Sequence, residues 1–91
     1  MEYERDEAKR LANLRKHGID FIDVPAIFDG DILIVEDDRY SYGEQRLIAF
    51  GLLQGRAIAV VYTERENCTC IISARKATKY EQRVYFEQLS N

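Results

Sequence analysis

Residues 71–83 read Ile-Ile-Ser-Ala-Arg-Lys-Ala-Thr-Lys-Tyr-Glu-Gln-Arg, and the change of pattern inside this stretch sets the fold class. Ile71 and Ile72 open it as a buried β-strand, and the large apolar residues stop at Ser73-Ala74. Thr78 and Glu81 then stand at capping-box spacing. In that motif the Thr hydroxyl accepts from the N–H of Glu81, and the carboxylate accepts from the N–H of Thr78. A helix is therefore expected from about Thr78 to Leu89, with Tyr80, Val84 and Leu89 facing inward. Arg75 and Lys76 fall at the strand-to-helix junction, and alternation along the strand points them to opposite faces. Two cations there suit an anionic ligand.

Working outward, the stretch before it has a period of two. Arg46, Ile48, Phe50 and Leu52 share one face, and Leu47, Ala49 and Gly51 the other. Gln54-Gly55 reads as a turn, Arg56 to Thr63 as a strand, Glu64-Arg65-Glu66-Asn67 as a second tight turn, and Cys68 to Ser73 as the last strand. Such short polar connectors imply antiparallel hairpins. Ile32 to Val35 adds a short strand, and 36–43 reads as a polar loop.

At the N-terminal end, Met1 to Glu4 reads as a short extended segment. A helix is expected over 6–17, capped by Asp6 and ended by Gly18 in a left-handed conformation, with Ala8, Leu11, Ala12 and Leu14 as its apolar stripe. A second helix, capped by Asp20 or Asp23 with Pro25 near its start, directs Phe21, Val24, Ile27 and Phe28 to the core. The expected architecture is one α+β domain over 1–91. It has two N-terminal helices, a four-stranded largely antiparallel sheet and a C-terminal helix, with the helices on one face.

The chain of 91 residues carries 13 basic and 16 acidic side chains, for a net charge of −3. That balance is unlike a sequence-reading DNA binder, which is usually basic as a whole. The charge is uneven: residues 29–53 hold two basic and six acidic groups, whereas residues 54–91 hold six basic and four acidic. A local cationic pocket is compatible with this. No apolar run reaches membrane-spanning length and the N-terminus is too charged for a signal peptide, so a cytoplasmic protein without membrane contact is expected. Cys68 and Cys70 are separated by one residue, which on a strand is roughly 6.5–7 Å along one face and poor geometry for a disulfide. Two cysteines and one histidine are too few for a zinc site, so the expectation is buried thiols, no metal and no cofactor.

Several side chains are candidates for phosphate chemistry. Lys79 and Arg83 lie four apart and share a helix face, and Arg65 in the preceding turn is placed to converge with Arg75. Clustered cations suit a phosphodiester. The bland reading is a solvated pair of charges leaving a strand. His17, the sole histidine, follows two cations at a helix end, where capping is its ordinary role and the charged form is favoured. Glu64 and Glu44 are candidate bases, although glutamates beside arginines are usually surface ion pairs. Tyr80 falls on the apolar stripe, and Tyr85 projects about 100° further round the helix, where it can stack on a base. No phosphate loop or nucleotide fingerprint is present.

Together, Asn13-Leu14-Arg15-Lys16-His17-Gly18-Ile19, Phe28-Asp29, Gly43-Glu44-x-Arg46, Tyr62-Thr63-Glu64-Arg65 and Ile71-Ile72-Ser73-Ala74-Arg75-Lys76-Ala77 resemble the BrnT toxins of bacterial type II toxin–antitoxin systems. The resemblance covers nearly the whole chain in the family's order. Arg5 departs from it, standing where the family commonly has an aromatic residue. The resemblance implies a RelE-like ribonuclease fold and a toxin that stops translation by metal-independent RNA cleavage. It also implies a BrnA-type antitoxin, a DNA-binding dimer that would form a complex with the toxin. On this reading Arg75 stabilises the transition-state phosphate with Arg65 and Lys76 in support, and His17 or Glu64 transfers protons. Lys79 or Arg83 holds the flanking RNA backbone, and Tyr85 stacks on or orients a base. The competing reading is a non-catalytic binding module acting only through a protein partner.

Overall fold

The computed structural model of the chain describes residues 2–4, 6–38 and 43–89. Its elements run β1 (Glu2–Glu4), α1 (Glu7–His17), a 3₁₀ helix (Phe21–Asp29), β2 (Leu33–Asp37), β3 (Arg46–Leu53), β4 (Arg56–Arg65), β5 (Cys68–Lys76) and α2 (Lys79–Leu89). The strands form one five-stranded sheet in the order β1-β5-β4-β3-β2. This corrects the expected four-stranded, largely antiparallel sheet. Strands β2 to β5 are antiparallel neighbours, but β1 pairs parallel with β5, Glu2 opposite Cys68 and Glu4 opposite Cys70. Three residues with no alternating apolar pattern give no strand signal of their own. Only an open edge of β5, far along the chain, makes them a strand. The expected loop at 36–43 is shortened by β2, which runs through Asp37, and its residues 39–42 lie outside the described residues, as does Arg5.

The second helix is also corrected, because it is a 3₁₀ helix rather than an α-helix. Phe21, Val24 and Ile27, all buried, are spaced by three, and three residues per turn stacks them in a single line against the sheet. Asp20 caps it by accepting from the N–H of Ile22 at 3.0 Å. The backbone of β3 comes close to this element. A Cβ at Gly51 would lie 3.1 Å from Ile27 Cβ and 3.3 Å from Ile32 Cγ2.

The two hairpin turns are short. Gln54-Gly55 and Glu66-Asn67 both have positive φ at each central residue, which is the twist that two-residue hairpin loops need. The second turn is therefore two residues long, and Glu64 and Arg65 belong to β4 rather than to the turn.

The sheet is covered on both faces, not on one. Ala49, Ile58, Val60, Tyr62, Ile71 and Ala74 pack with Phe21, Val24 and Ile27 on the first face. Ile48, Phe50, Ala59 and Val61 pack with Tyr85 of α2 on the second. The residue that α2 buries is Tyr85, at 1% exposure, with its hydroxyl donating to the Asp31 carbonyl at 2.7 Å. Tyr80 is 70% exposed, so the expected roles of the two tyrosines are exchanged. The helix axis turns the Val84-Tyr85 side, rather than Tyr80, toward the strands.

The apolar stripe expected of α1 is likewise not what docks it. Leu11 and Leu14 are exposed, and the buried residue is Asn13. Its amide nitrogen donates to the carbonyls of Ile19 and Ala74, each at 2.9 Å, and its oxygen accepts from the N–H of Ala74 at 3.1 Å. β1 pairs with β5 only as far as Cys70, so beyond it the backbone edge of β5 needs another partner. Asn13 supplies one. Among the described residues no helix is long and apolar enough to cross a membrane.

Asn13→Ala leaves both backbone groups of fully buried Ala74 without these bonds, and the expected loss is about 2–4 kcal/mol, read from denaturant unfolding. Gly51→Ala is expected to cost about 1–3 kcal/mol by forcing the 3₁₀ helix off the sheet, and its unfolding midpoint checks this.

Candidate functional site

The end of β5 sends its two cations to different places, and a bulge decides which. Tyr62 is opposite Ile71 but Val61 is opposite Ser73, so Ile72 is an extra residue in β5. Alternation resets there. Ile71 and Ala74 both join the first-face core, and Ile72 packs on the second. Arg75, opposite Ala59, shares the second face, and Lys76, opposite Ile58, shares the first.

On the first face, Lys76 lines a cleft of about 190 Å³ with His17 and Arg56. α1 delivers His17 as its last residue. Gly18 follows with φ 72°, its N–H donating to the Leu14 carbonyl, which turns the chain down toward Ile19 and Asp20. The β3–β4 turn forms the opposite wall through Leu53, Gln54 and Arg56. Asp20 and Asp23 also border the cleft. Asp20 is committed elsewhere, since its two carboxylate oxygens accept from Arg10 Nη1 at 2.9 and 3.1 Å. The cleft thus joins an imidazole and two fixed cations.

On the second face, Arg75 donates two parallel bonds to Glu81, at 2.7 and 2.9 Å. Glu81 also completes the capping box, accepting from the Thr78 N–H at 2.9 Å while its own N–H donates to Thr78 Oγ1 at 3.1 Å. The paired Arg75 guanidinium, followed by the Thr78 N–H, holds the Glu81 carboxyl at about 2, well below its ordinary 4.5. One carboxylate therefore fastens β5 to the start of α2. Lys79 and Arg83 are exposed on α2 beyond it.

The other candidates lie elsewhere. Arg65, the last residue of β4, is paired with Cys68 at the far end of the hairpin from Arg75, which is paired with Ala59. Six strand residues separate the two levels, or about 20 Å. Arg65 does not converge on Arg75. Its guanidinium instead makes a bidentate pair with Glu44 at 2.8–3.0 Å. Glu64 is exposed at that same far end. Tyr85 is core, and so is not available to stack on a base. Cys70 is not a ready nucleophile. Burial and its bond to Glu4 push the thiol up to about 11.

Arg56 was not legible in the sequence, because a turn-flanking arginine has no signal of its own. It became relevant once His17 and the β3–β4 turn proved to face each other. Tyr80 was missed as the exposed aromatic of α2 because helix orientation is not encoded in spacing alone.

Because Glu81 has a lowered pKa in the folded state, its contribution is complete above the unfolded value near 4.5 and is lost as the pH falls through about 2. Glu81→Gln is expected to cost about 2 kcal/mol at neutral pH. The gap between variant and wild type should narrow below pH 4.5 and close near pH 2, as followed by urea unfolding at each pH.

No curated protein matches the chain. The family described as "Ribonuclease toxin, BrnT, of type II toxin-antitoxin system" matches residues 6–81, a span from the Asp6 cap through the Glu81 carboxylate that includes every residue of the cleft. The chain belongs to the BrnT family of ribonuclease toxins.

Proposed function

We propose that this chain is a metal-independent endoribonuclease that acts in the cytoplasm, stops translation by cutting RNA, and is silenced by a BrnA-type antitoxin carrying the DNA-binding dimer. The observation that carries this reading is the cleft in which His17, Arg56 and Lys76 meet. RNA cleavage without a metal attacks the phosphorus with the neighbouring 2′-oxygen. It needs a proton removed from that hydroxyl, charge stabilised on the phosphoryl oxygens, and a proton given to the 5′-oxygen as it leaves. Lys76 and Arg56 supply the charge, with the guanidinium able to contact two oxygens at once. His17 is the proton-transfer group, since imidazole serves as acid or base near neutral pH.

This reading gives phosphate stabilisation to Lys76 and Arg56 rather than to Arg75. Arg75 faces the other side of the sheet and already holds Glu81 with both terminal nitrogens. Lys79 and Arg83, exposed on α2 with Tyr80, are the cations that hold RNA backbone beyond the cleft. An antitoxin that silences the enzyme covers the cleft.

His17→Ala and Lys76→Ala are expected to fold normally, because both side chains are exposed, and to lose RNA cleavage by about 10²-fold or more. Cleavage by the wild type should persist in EDTA, and both variants should relieve growth arrest at matched expression. Full cleavage by the His17→Ala, Lys76→Ala double variant would overturn the site. Intact RNA with the wild type, translating ribosomes included, would favour a non-catalytic module acting through its protein partner.

A further inference from the structure

At the far end of the β4–β5 hairpin from the cleft, Cys68 and Cys70 of β5 point to the same side, toward the last residue of β1. Cys68 Sγ lies 3.7 Å and Cys70 Sγ 3.4 Å from one carboxylate oxygen, Glu4 Oε2. One ligand atom from each of the three residues lies within 4.8 Å of the others, and no other such group of three occurs among the described residues. These spacings are those of a coordination edge. A tetrahedral ion bonded to sulfur at about 2.3 Å and to oxygen at about 2.0–2.2 Å sets sulfur and oxygen roughly 3.5–3.7 Å apart. The two observed sulfur–oxygen distances, 3.4 and 3.7 Å, match that edge, and the two sulfurs lie within 4.8 Å of each other.

We propose that Glu4, Cys68 and Cys70 form a binding site for one thiophilic divalent cation of the Zn²⁺ or Cd²⁺ class. Binding displaces the two thiol protons, giving a dithiolate–carboxylate set with solvent in the fourth position. Such a set with a divalent ion carries one net negative charge. Glu4 and Cys70 open onto a polar depression of about 380 Å³ whose other charged residues are Lys9, Arg46, Arg65, Asp6 and Glu44, so Lys9 is the cation there that faces the set while Arg65 is paired with Glu44. The two thiols alone offer only two ligands, and strand spacing keeps them from closing a disulfide. Glu4 turns them into a three-ligand site, and it reaches them only because β1 lies parallel to β5 in a register that sets Glu4 opposite Cys70. The site is separate from the cleft: Cys68 pairs with Arg65 at one end of the hairpin and Lys76 with Ile58 at the other. Its effect is to staple β1 to the sheet, so its signature is stability rather than RNA cleavage.

The full-length chain, kept reduced with a phosphine, is titrated with Cd²⁺ while thiolate-to-metal charge-transfer absorption is followed in the ultraviolet. Saturation at one Cd²⁺ per chain with a raised Tm is expected. Cys70→Ser should abolish the band, and Glu4→Gln should weaken binding at least tenfold and remove most of the Tm rise. Glu4 is exposed, so Glu4→Gln should melt like the wild type without metal. It therefore decides the matter even where Cys70→Ser folds poorly. The absence of a band in the wild type, or a Glu4→Gln variant that binds as tightly as the wild type, would overturn the site.

Discussion

The arrangement depends on a side chain doing the work of a strand. β1 covers β5 through Cys70 and goes no further, and the N–H and C=O of Ala74 are met by the amide of Asn13 instead. The same amide nitrogen holds the Ile19 carbonyl, just past the Gly18 turn. One residue thereby fixes the angle of α1 to the sheet and the path of the chain leaving it. His17 stands four residues on from Asn13, one helical turn away, and Lys76 two residues on from Ala74. The cleft is thus positioned by a buried hydrogen-bond set with all its polar groups satisfied, the kind that tolerates little distortion.

A second constraint sorts the charges. Without the bulge at Ile72, Ile71, Ser73 and Arg75 would share a face. With it, Ile71 stays in the first-face core while Ser73 and Arg75 lie on the other side. The extra residue thus lets the strand bury its apolar side chains at one end and still present Lys76 beside His17 at the other. Arg75 is turned toward Glu81, which connects it to the helix start. Two adjacent cations acquire different tasks because the strand between core and junction is one residue too long for its partner.

Much of this was legible in residue order. The Thr78–Glu81 capping box, the Asp6 cap, the Gly18 stop and the faces of β3 follow from local chemistry, and they stand as read. What was not legible depends on partners far away in the chain. Residues 2–4 form a strand only because β5 offers them an edge. Asn13 looks like any polar residue on a helix until Ala74 is placed opposite it. The spacing of Phe21, Val24 and Ile27 fits an α-helix face well enough to hide the tighter 3₁₀ coil. Arg65 was expected near Arg75 because nearness in a hairpin was read from the turn, whereas a strand carries its two ends apart.

The pairing of Asn13 with Ala74 also ties the cleft to the far end of the chain. Residues 61 apart in sequence must meet before α1 takes its final angle, and His17 and Lys76 belong to those same two distant segments. The β3–β4 hairpin closes over a two-residue turn, but α1 has no edge to dock on until β5 is complete. The cleft therefore requires both ends of the chain, since its lining joins His17 of α1 to Lys76 of β5. A truncated or stalled product lacking β5 has the histidine but neither the lysine nor the strand that positions them together. Long-range closure of the cleft thus confines it to the finished fold.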